Sequence, residues 1–275
     1  MFAKTESVRT SAKVEIPLTE SDGRIDFNAD IGESFAGYEL GLDSEIVKFI
    51  TSANIATGFH AGDPDWMAKT VELADQNGVG IGAHPAYPDL AGFGRRNMDL
   101  TPQEVYNAVT YQVGALAAFT AGRKLQHVKP HGALYNTAVR DEKTAEAVVQ
   151  AVKDFDPDLI HVVLAGSKWE QLAREAGVKV ARECYADRAV TPEGTLVPRS
   201  LPGAVVHDPE EVVSRSLKLA TEGKVFAVDG TEIDFSADSI CLHGDTAGAV
   251  ELAGAVRTEL ESAGVQISRM SDLVG

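Results

Sequence analysis

Residues 51–84 read TSANIATGFHAGDPDWMAKTVELADQNGVGIGAH, and two periodicities in this stretch decide the architecture. Thr51 to Phe59 is a strand-like run. Asp65 to Asn77 is an amphipathic helical stretch that stops before Gly78, and Val79 to His84 is a second strand-like run. Strand, helix, strand order predicts two parallel strands joined by a right-handed crossover.

The same rhythm extends to both sides. Further strand candidates are Ile25 to Asp30, Leu125 to Lys129, His161 to Ala165, Val180 to Tyr185 and Ser239 to His243, which brings the count to seven. Among the helices, Thr101 to Ala121 carries Pro102 at its first position and Gly122 after its end, the expected asymmetry of helix termini. No linker or change of composition divides residues 25–275, which therefore read as one α/β domain. Seven units predict a (β/α) barrel variant, with a doubly wound open sheet as the alternative. Two stretches break the rhythm as hairpin insertions on barrel loops, one near 189–199 around Pro192-Glu193-Gly194 and one near 225–235 around Asp229-Gly230. Residues 1–24 have no apolar segment of signal-peptide type and read as a mobile N-terminal tail.

The 275 residues are 44% hydrophobic and 24% charged, ordinary for a globular chain long enough to bury a core without disulfides or structural metal. Lysine and arginine number 25 against 41 acidic residues, a net charge of −16, which argues against nucleic acid and against an anionic membrane surface as partners. An anionic substrate would then need local cations. The longest nearly apolar run, Val113 to Phe119, is far short of the roughly 20 residues that span a bilayer. Cys184 and Cys241, each in an apolar stretch and outside any CxxC pattern, suit a reducing cytoplasm.

Chemistry gathers at the carboxyl ends of the strands, the catalytic face of barrels and open α/β sheets alike. Asn28 and Asp30, Asn54 and His60, His84, Lys129 and His131, Glu183 and Asp187, and His243 and Asp245 all fall there. Strand periodicity puts Asn28 with Asp30, Lys129 with His131, and His243 with Asp245 on shared faces. His161 and His207 read as satisfied or surface histidines, and His127 as a structural residue deep in the barrel. Asp26 is either a structural hydrogen-bonding group or a site residue. Gly80 and Gly82 alternate with His84, so that either a ligand or another part of the chain can come close beneath the imidazole. The loop Asp89-Leu90-Ala91-Gly92-Phe93-Gly94-Arg95-Arg96 ends in two arginines suited to a carboxylate or phosphate. Neither a GxxxxGK[ST] nor a GxGxxG motif is present, although His243 to Gly248 runs from a strand into a helix whose N–H groups could hold an anion. Asp30, His60 and His84 form a two-histidine, one-carboxylate set suited to a divalent metal ion, with a metal-free polar network as the alternative.

Several long strings are distinctive together: Asn28-Ala29-Asp30-Ile31-Gly32-Glu33, SANIATGFHAGDP (52–64), HPAYPDLAGFGRR (84–96), VKPHGALYN (128–136), ADRAVTPEGTLVPR (186–199) and SICLHGDTAGA (239–249). In this order they resemble the LamB/YcsF family over nearly everything from residue 25 onward, with Thr57 standing where the family often has cysteine. The resemblance implies a distorted seven-stranded (β/α) barrel of the glycoside hydrolase/deacetylase type. It also implies a part in the ATP-dependent opening of 5-oxoproline to L-glutamate, with ATP as cosubstrate and 5-oxoprolinase subunits B and C as partners; a homo-oligomer is compatible with this. In that reaction Asp30, His60 or His84 would activate water, directly or through a metal, and His131, His243 and Asp245 would assist proton transfer. Lys129, Arg95 or Arg96 would pair with a carboxylate or phosphoryl group, and Asn28, Asn54, Glu183, Asp187 and Arg188 would line the substrate site. The alternatives are a stand-alone metal-dependent deacetylase or amidohydrolase and a non-catalytic regulatory subunit that binds a small acid.

Overall fold

Strand β1 (Arg24–Ile31) alternates Asp26, Asn28 and Asp30 with Ile25, Phe27, Ala29 and Ile31, and a period of two sends the sets to opposite faces. In the described residues of a computed structural model, 23–242 and 248–274, the apolar set joins the main hydrophobic core. The polar set bonds to side chains of β2 (Ser52–Ala56) inside a barrel. Strands β3 (Gly80–His84), β4 (His127–Val128), β5 (Ile160–Leu164) and β6 (Lys179–Tyr185) follow as parallel neighbours. The antiparallel hairpin β7 (Lys224–Phe226) and β8 (Glu232–Asp234) occupies the second predicted insertion. At the first, a single bridge joins Val190 to Leu196. Strand β9 (Ser239–Leu242) pairs with both β6 and β1 and closes a seven-stranded parallel barrel, so the open-sheet alternative does not hold. The closure is uneven: β10 (Gln266–Ile267) pairs with Arg24 and Ile25 at the foot of β1, below the residues that meet β9.

The α-helices of the described residues are α1 (Asp43–Ile46), α2 (Pro64–Gln76), α3 (Pro102–Ala117), α4 (Gly132–Arg140), α5 (Glu142–Phe155), α6 (Lys168–Glu175), α7 (Pro209–Glu222), α8 (Ala249–Ser262) and α9 (Met270–Leu273). Two starts follow from sequence chemistry. Asp63 accepts from the Trp66 N–H with Pro64 behind it, and Thr101 and Glu104 form a reciprocal capping box. Helix α3 ends at Ala117, short of the predicted Ala121, because the Ala117 carbonyl accepts from both the N–H and the hydroxyl of Thr120. Strand β4 is shorter than predicted; Lys129 still donates to Ala83, but Pro130 has no N–H with which to continue. None of the described helices is long and apolar enough to cross a membrane. The predicted tail lies almost wholly outside the described residues, with Arg24 already in β1.

Register puts Asp30, Asn54, Gly82 and His127 side by side around the barrel. At its amino-terminal end the interior is apolar, with Met270 fully buried against Ile160, Val162 and Ala181. Above that it is polar. The glycines of β3 give way to side chains of the same protein: a methyl on Gly80 would collide with Gln126, and one on Gly82 with the His127 imidazole. Crowding explains these glycines. Gly82→Ala is therefore expected to lower unfolding stability by about 1–3 kcal/mol through overpacking, measured by chemical denaturation against the wild-type chain.

Candidate functional site

The polar interior rises in layers. At the bottom Asp26 accepts from Thr51, Ser52 and Ser239, which makes it structural, and burial pushes its pKa up to about 6 against those hydrogen bonds. Above it, Asn28 donates to Ser239 and Glu183, Asn54 donates to Asn28 and Asp30 at 2.7 and 2.9 Å, and the Asn54 carbonyl oxygen lies 2.8 Å from His127 Nε2. All are buried below the open end. Asn28, Asn54 and Glu183 thus form a supporting floor and are not among the cleft-lining residues.

The next layer centres on Lys129. Its ammonium, 1% exposed, lies 3.0 Å from Asp30 Oδ1, 2.9 Å from Glu183 Oε1 and 2.9 Å from Cys241 Sγ. Burial alone would lower the lysine pKa, but the surrounding anionic groups, Asp30 foremost, hold it well above its usual range. Burial holds the Cys241 thiol protonated, so the charge on Lys129 is balanced by the two carboxylates.

At the open end four side chains converge. His60 stacks on His131 with centroids 3.9 Å apart, and His84 stands edge-on to both. Glu33 Oε1 lies 3.1 Å from His60 Nε2 and 3.6 Å from His131 Nδ1, while His84 Nε2 lies 3.2 Å from Asp30 Oδ2. Burial, with the neighbouring imidazoles adding to it, lowers His60 and His131 well below the ordinary histidine range. Hydrogen-bond partners assign the tautomers. His84 Nδ1 faces the Lys129 carbonyl at 2.6 Å and His131 Nε2 faces the Phe93 carbonyl at 2.9 Å, so both outer nitrogens carry protons. The inner nitrogens, His84 Nε2 and His131 Nδ1, then turn lone pairs on each other across 2.9 Å. Such a pair requires a proton or a metal cation between them. Donors from Glu33, His60, His84 and His131 all lie within 4.8 Å of one another, a set suited to a divalent ion. The outer bonds of His84 and His131 match the orientation of metal-ligating imidazoles, whereas His60 Nδ1 is buried without a partner. The donor set therefore takes in Glu33 and His131, outside the trio Asp30, His60 and His84 expected from sequence.

The loop after β3 roofs these histidines. Phe93 adopts the left-handed conformation that presents its carbonyl to His131, and Gly94 is tight enough that a methyl there would lie 2.8 Å from His60 Cβ. Asp89 accepts from Gly92 and pairs with Arg96, whose guanidinium is exposed and away from the cleft-lining set. Arg95 does line the cleft, a space of about 560 Å³ walled also by Asp30, His84, Lys129, His131, Tyr135 and Tyr185. Arg188 and Arg199 line it from the loop after β6, and Arg140 from the end of α4. Arg188 donates to the Ala204 and Val197 carbonyls, and burial, with Arg199 and Arg95 nearby, lowers its pKa. Four arginines thus share one cleft in a chain of net charge −16. Asp187 is buried and outside the lining set. His161 packs against Trp169 in the core, and His243 and Asp245 lie outside the described residues. Thr57 donates to the His84 carbonyl or to Gln112, supporting β3 from the side. Glu33 was missed in the sequence because it follows Gly32, beyond the strand periodicity; Tyr135 and Tyr185 resemble core aromatics.

The LamB/YcsF family model matches residues 25–275. A relative from Thermococcus onnurineus (strain NA1), named as the A subunit of 5-oxoprolinase, is 53% identical over 253 residues, 91% of this chain and 99% of that relative. A lactam utilization protein from Thermus thermophilus has a solved structure with a TM-score of 0.84 at 50% identity, covering 89% of this chain and 99% of that one. At the level of fold alone, a catalytic module of a pneumococcal exo-β-D-N-acetylglucosaminidase matches with a TM-score of 0.50 at 12% identity, over 87% of this chain and 84% of that one.

His127, buried beneath the site, gives the barrel a pH signature. Burial lowers His127 to about 3, so below its unfolded value near 6.5 the unfolded chain takes up a proton that the folded chain does not. His127 thus contributes stability above pH 6.5 that is lost as pH falls toward 3; Asp26, raised, works in the opposite direction near pH 4–6. Comparison of wild type with His127→Gln cancels the Asp26 contribution. The stability advantage of the wild type is expected to shrink by roughly 1.4 kcal/mol per pH unit between pH 6 and 4, followed by urea unfolding at each pH.

Proposed function

The chain belongs to the LamB/YcsF family, and on that premise we propose that it is the A subunit of an ATP-dependent 5-oxoprolinase. In this reading the assembled enzyme, working in the cytoplasm with its B and C subunits, opens the lactam of 5-oxo-L-proline to L-glutamate and converts ATP to ADP and phosphate. The names of the relatives support it. The observation that carries it is the set of ionisable groups, Asp30, His84, Lys129 and His131, on the wall of a cleft that also presents four arginines.

A lactam is a resonance-stabilised amide, and coupling to ATP overcomes its resistance by phosphorylating the carbonyl oxygen. A first water then adds to the carbon and the C–N bond breaks, with a proton going to nitrogen. A second water hydrolyses the resulting acyl phosphate. Arg95, Arg188 and Arg199 hold the substrate carboxylate or the phosphoryl oxygens. Asp30, oriented by Lys129 and Asn54, takes a proton from water, and His131 with His84 moves a proton toward the departing nitrogen. A divalent metal, where bound, would be held by Glu33, His60, His84 and His131 and would supply Lewis-acid polarisation of the carbonyl.

The facing lone pairs of His84 and His131 favour one second reading, a metal-dependent amidohydrolase that acts without ATP. In enzyme reconstituted from the three subunits, release of glutamate and phosphate from 5-oxoproline is expected to require ATP. Asp30→Asn and His131→Ala are each expected to lower turnover by about 10²-fold or more, and wild-type turnover in both would overturn the site assignment. Glutamate formation by this chain alone, without nucleotide, would instead establish the second reading. Calorimetric titration of the chelator-treated chain with zinc or manganese is expected to show one site that His84→Ala weakens by about 10-fold or more.

A further inference from the structure

Glu33 belongs to the donor set at the open end, yet it stands on no strand or helix. It follows β1 through Gly32, whose φ of 70° is left-handed, and it opens a loop that runs to Leu42 before α1. Its carboxylate nonetheless meets two separate imidazoles, His60 Nε2 at 3.1 Å and His131 Nδ1 at 3.6 Å. The backbone beside it must therefore be held. A glycine at the pivot sharpens that demand, because glycine has the widest choice of φ and ψ, and a small rotation there swings the Glu33 side chain as a lever.

Two hydrogen bonds bracket Glu33. On one side the Gly32 N–H donates to Asp43 Oδ2 at 2.9 Å, and on the other the Gly62 N–H donates to the Ser34 carbonyl at 3.0 Å. The second comes from the turn that carries His60 and so ties two members of the set together. The first comes from the start of α1 and clasps the two ends of the loop. Within the loop, Ser34 Oγ and the Leu40 backbone exchange hydrogen bonds, and Phe35 bridges to Tyr38. The pivot also has a wall behind it: a methyl on Gly32 would lie 3.1 Å from Thr70 Oγ1 and 3.2 Å from Ile55 Cγ2. Asp43 itself is half-buried and absent from the cleft-lining set. Burial raises its pKa to about 6 against the hydrogen bond from Gly32, so above pH 7 it is mostly a carboxylate, the stronger kind of acceptor.

We propose that Asp43 is a positioning residue for the cation site: by holding the Gly32 N–H it fixes the bend from which Glu33 reaches the histidines. The inference rests on the reading of Glu33, His60, His84 and His131 as a set that holds a divalent ion. A carboxylate fixed before the ion arrives binds it without the cost of ordering a side chain, whereas a Glu33 free to swing pays that cost on binding. Asp43 acts through the position of its oxygen and does not touch the ion, so an uncharged acceptor in the same place serves equally.

The test titrates the chelator-treated full chain with zinc at about pH 7.5 by calorimetry, comparing wild type with Asp43→Ala, Asp43→Asn, Glu33→Ala and the double variant Asp43→Ala/Glu33→Ala. Asp43→Ala is expected to weaken zinc binding by about 10-fold, the usual effect of removing an outer partner of a metal ligand. Asp43→Asn loses the charge but keeps a side-chain oxygen that can accept from Gly32, and is expected to stay within about 3-fold of wild type. In the Glu33→Ala background the Asp43→Ala change is expected to have no effect, because the group it positions is gone. Asp43→Glu, which keeps the charge but moves the acceptor by one methylene, is expected to weaken zinc as Asp43→Ala does and replaces it in the comparison if Asp43→Ala does not fold. Wild-type affinity in Asp43→Ala overturns the inference and leaves the cation site intact. An equal loss with and without Glu33 also overturns it, assigning Asp43 to the stability of the loop as a whole. An equal loss in Asp43→Asn and Asp43→Ala overturns it too, assigning the effect to charge. If the wild-type chain binds no zinc, the cation reading falls and takes the inference with it.

Discussion

Lys129 brings a positive charge into the middle of a barrel, where removal from water costs several kcal/mol unless opposite charge and hydrogen bonds offset it. Asp30 and Glu183 supply that charge, and each is fixed in turn: Asp30 by Asn54, Glu183 by Asn28. Asn28 rests on Ser239, and Ser239 on Asp26. Satisfying one ammonium therefore propagates order down to the foot of the barrel. The same chain propagates upward, since Asp30 presents its second oxygen to His84, and His84 meets His131. An apolar interior could have been as stable, but it would not orient a carboxylate and two imidazoles at the open end.

Much of this was legible because strands advertise their faces. Asp30, His84, Lys129 and His131 stand at strand ends in a two-residue period, and register alone brings them together. What the period could not convey was depth. Asn28 and Asn54 are as polar as Asp30 but are fully buried, and only closure of the barrel shows that they support the site without lining it. Adjacent residues in a turn were similarly opaque: Arg95 lines the cleft while Arg96 pairs with Asp89, a choice made by the left-handed bend at Phe93. Glu33 lies past Gly32, where the strand has ended and no repeat remains to read. The glycines of β3 were equally compatible with a ligand or a neighbour, and the neighbours are Gln126 and His127.

The acidic surface and the basic cleft belong together. A net charge of −16 repels small anions on average, so the cleft arginines produce a local reversal of sign. That reversal is sharpened by burial of Arg188 at 4% exposure, where water screens little. The histidine cluster sits beside this region and is roofed by the Phe93–Gly94 turn, so its hydrogen bonds are shielded from competition with solvent.

The seam of the barrel has a consequence for synthesis. Strand β1 finds β2 early, but its other edge is covered by β9 along its middle and by β10 at its foot, partners more than two hundred residues away. Until the ribosome has delivered the last of these, the sheet has an open edge bearing Asp26 and Asn28 with no Ser239 to meet them. Nascent chains are thus exposed to mispairing along that edge for nearly the whole of translation, and the polar floor of the barrel cannot be completed before β9 has been made.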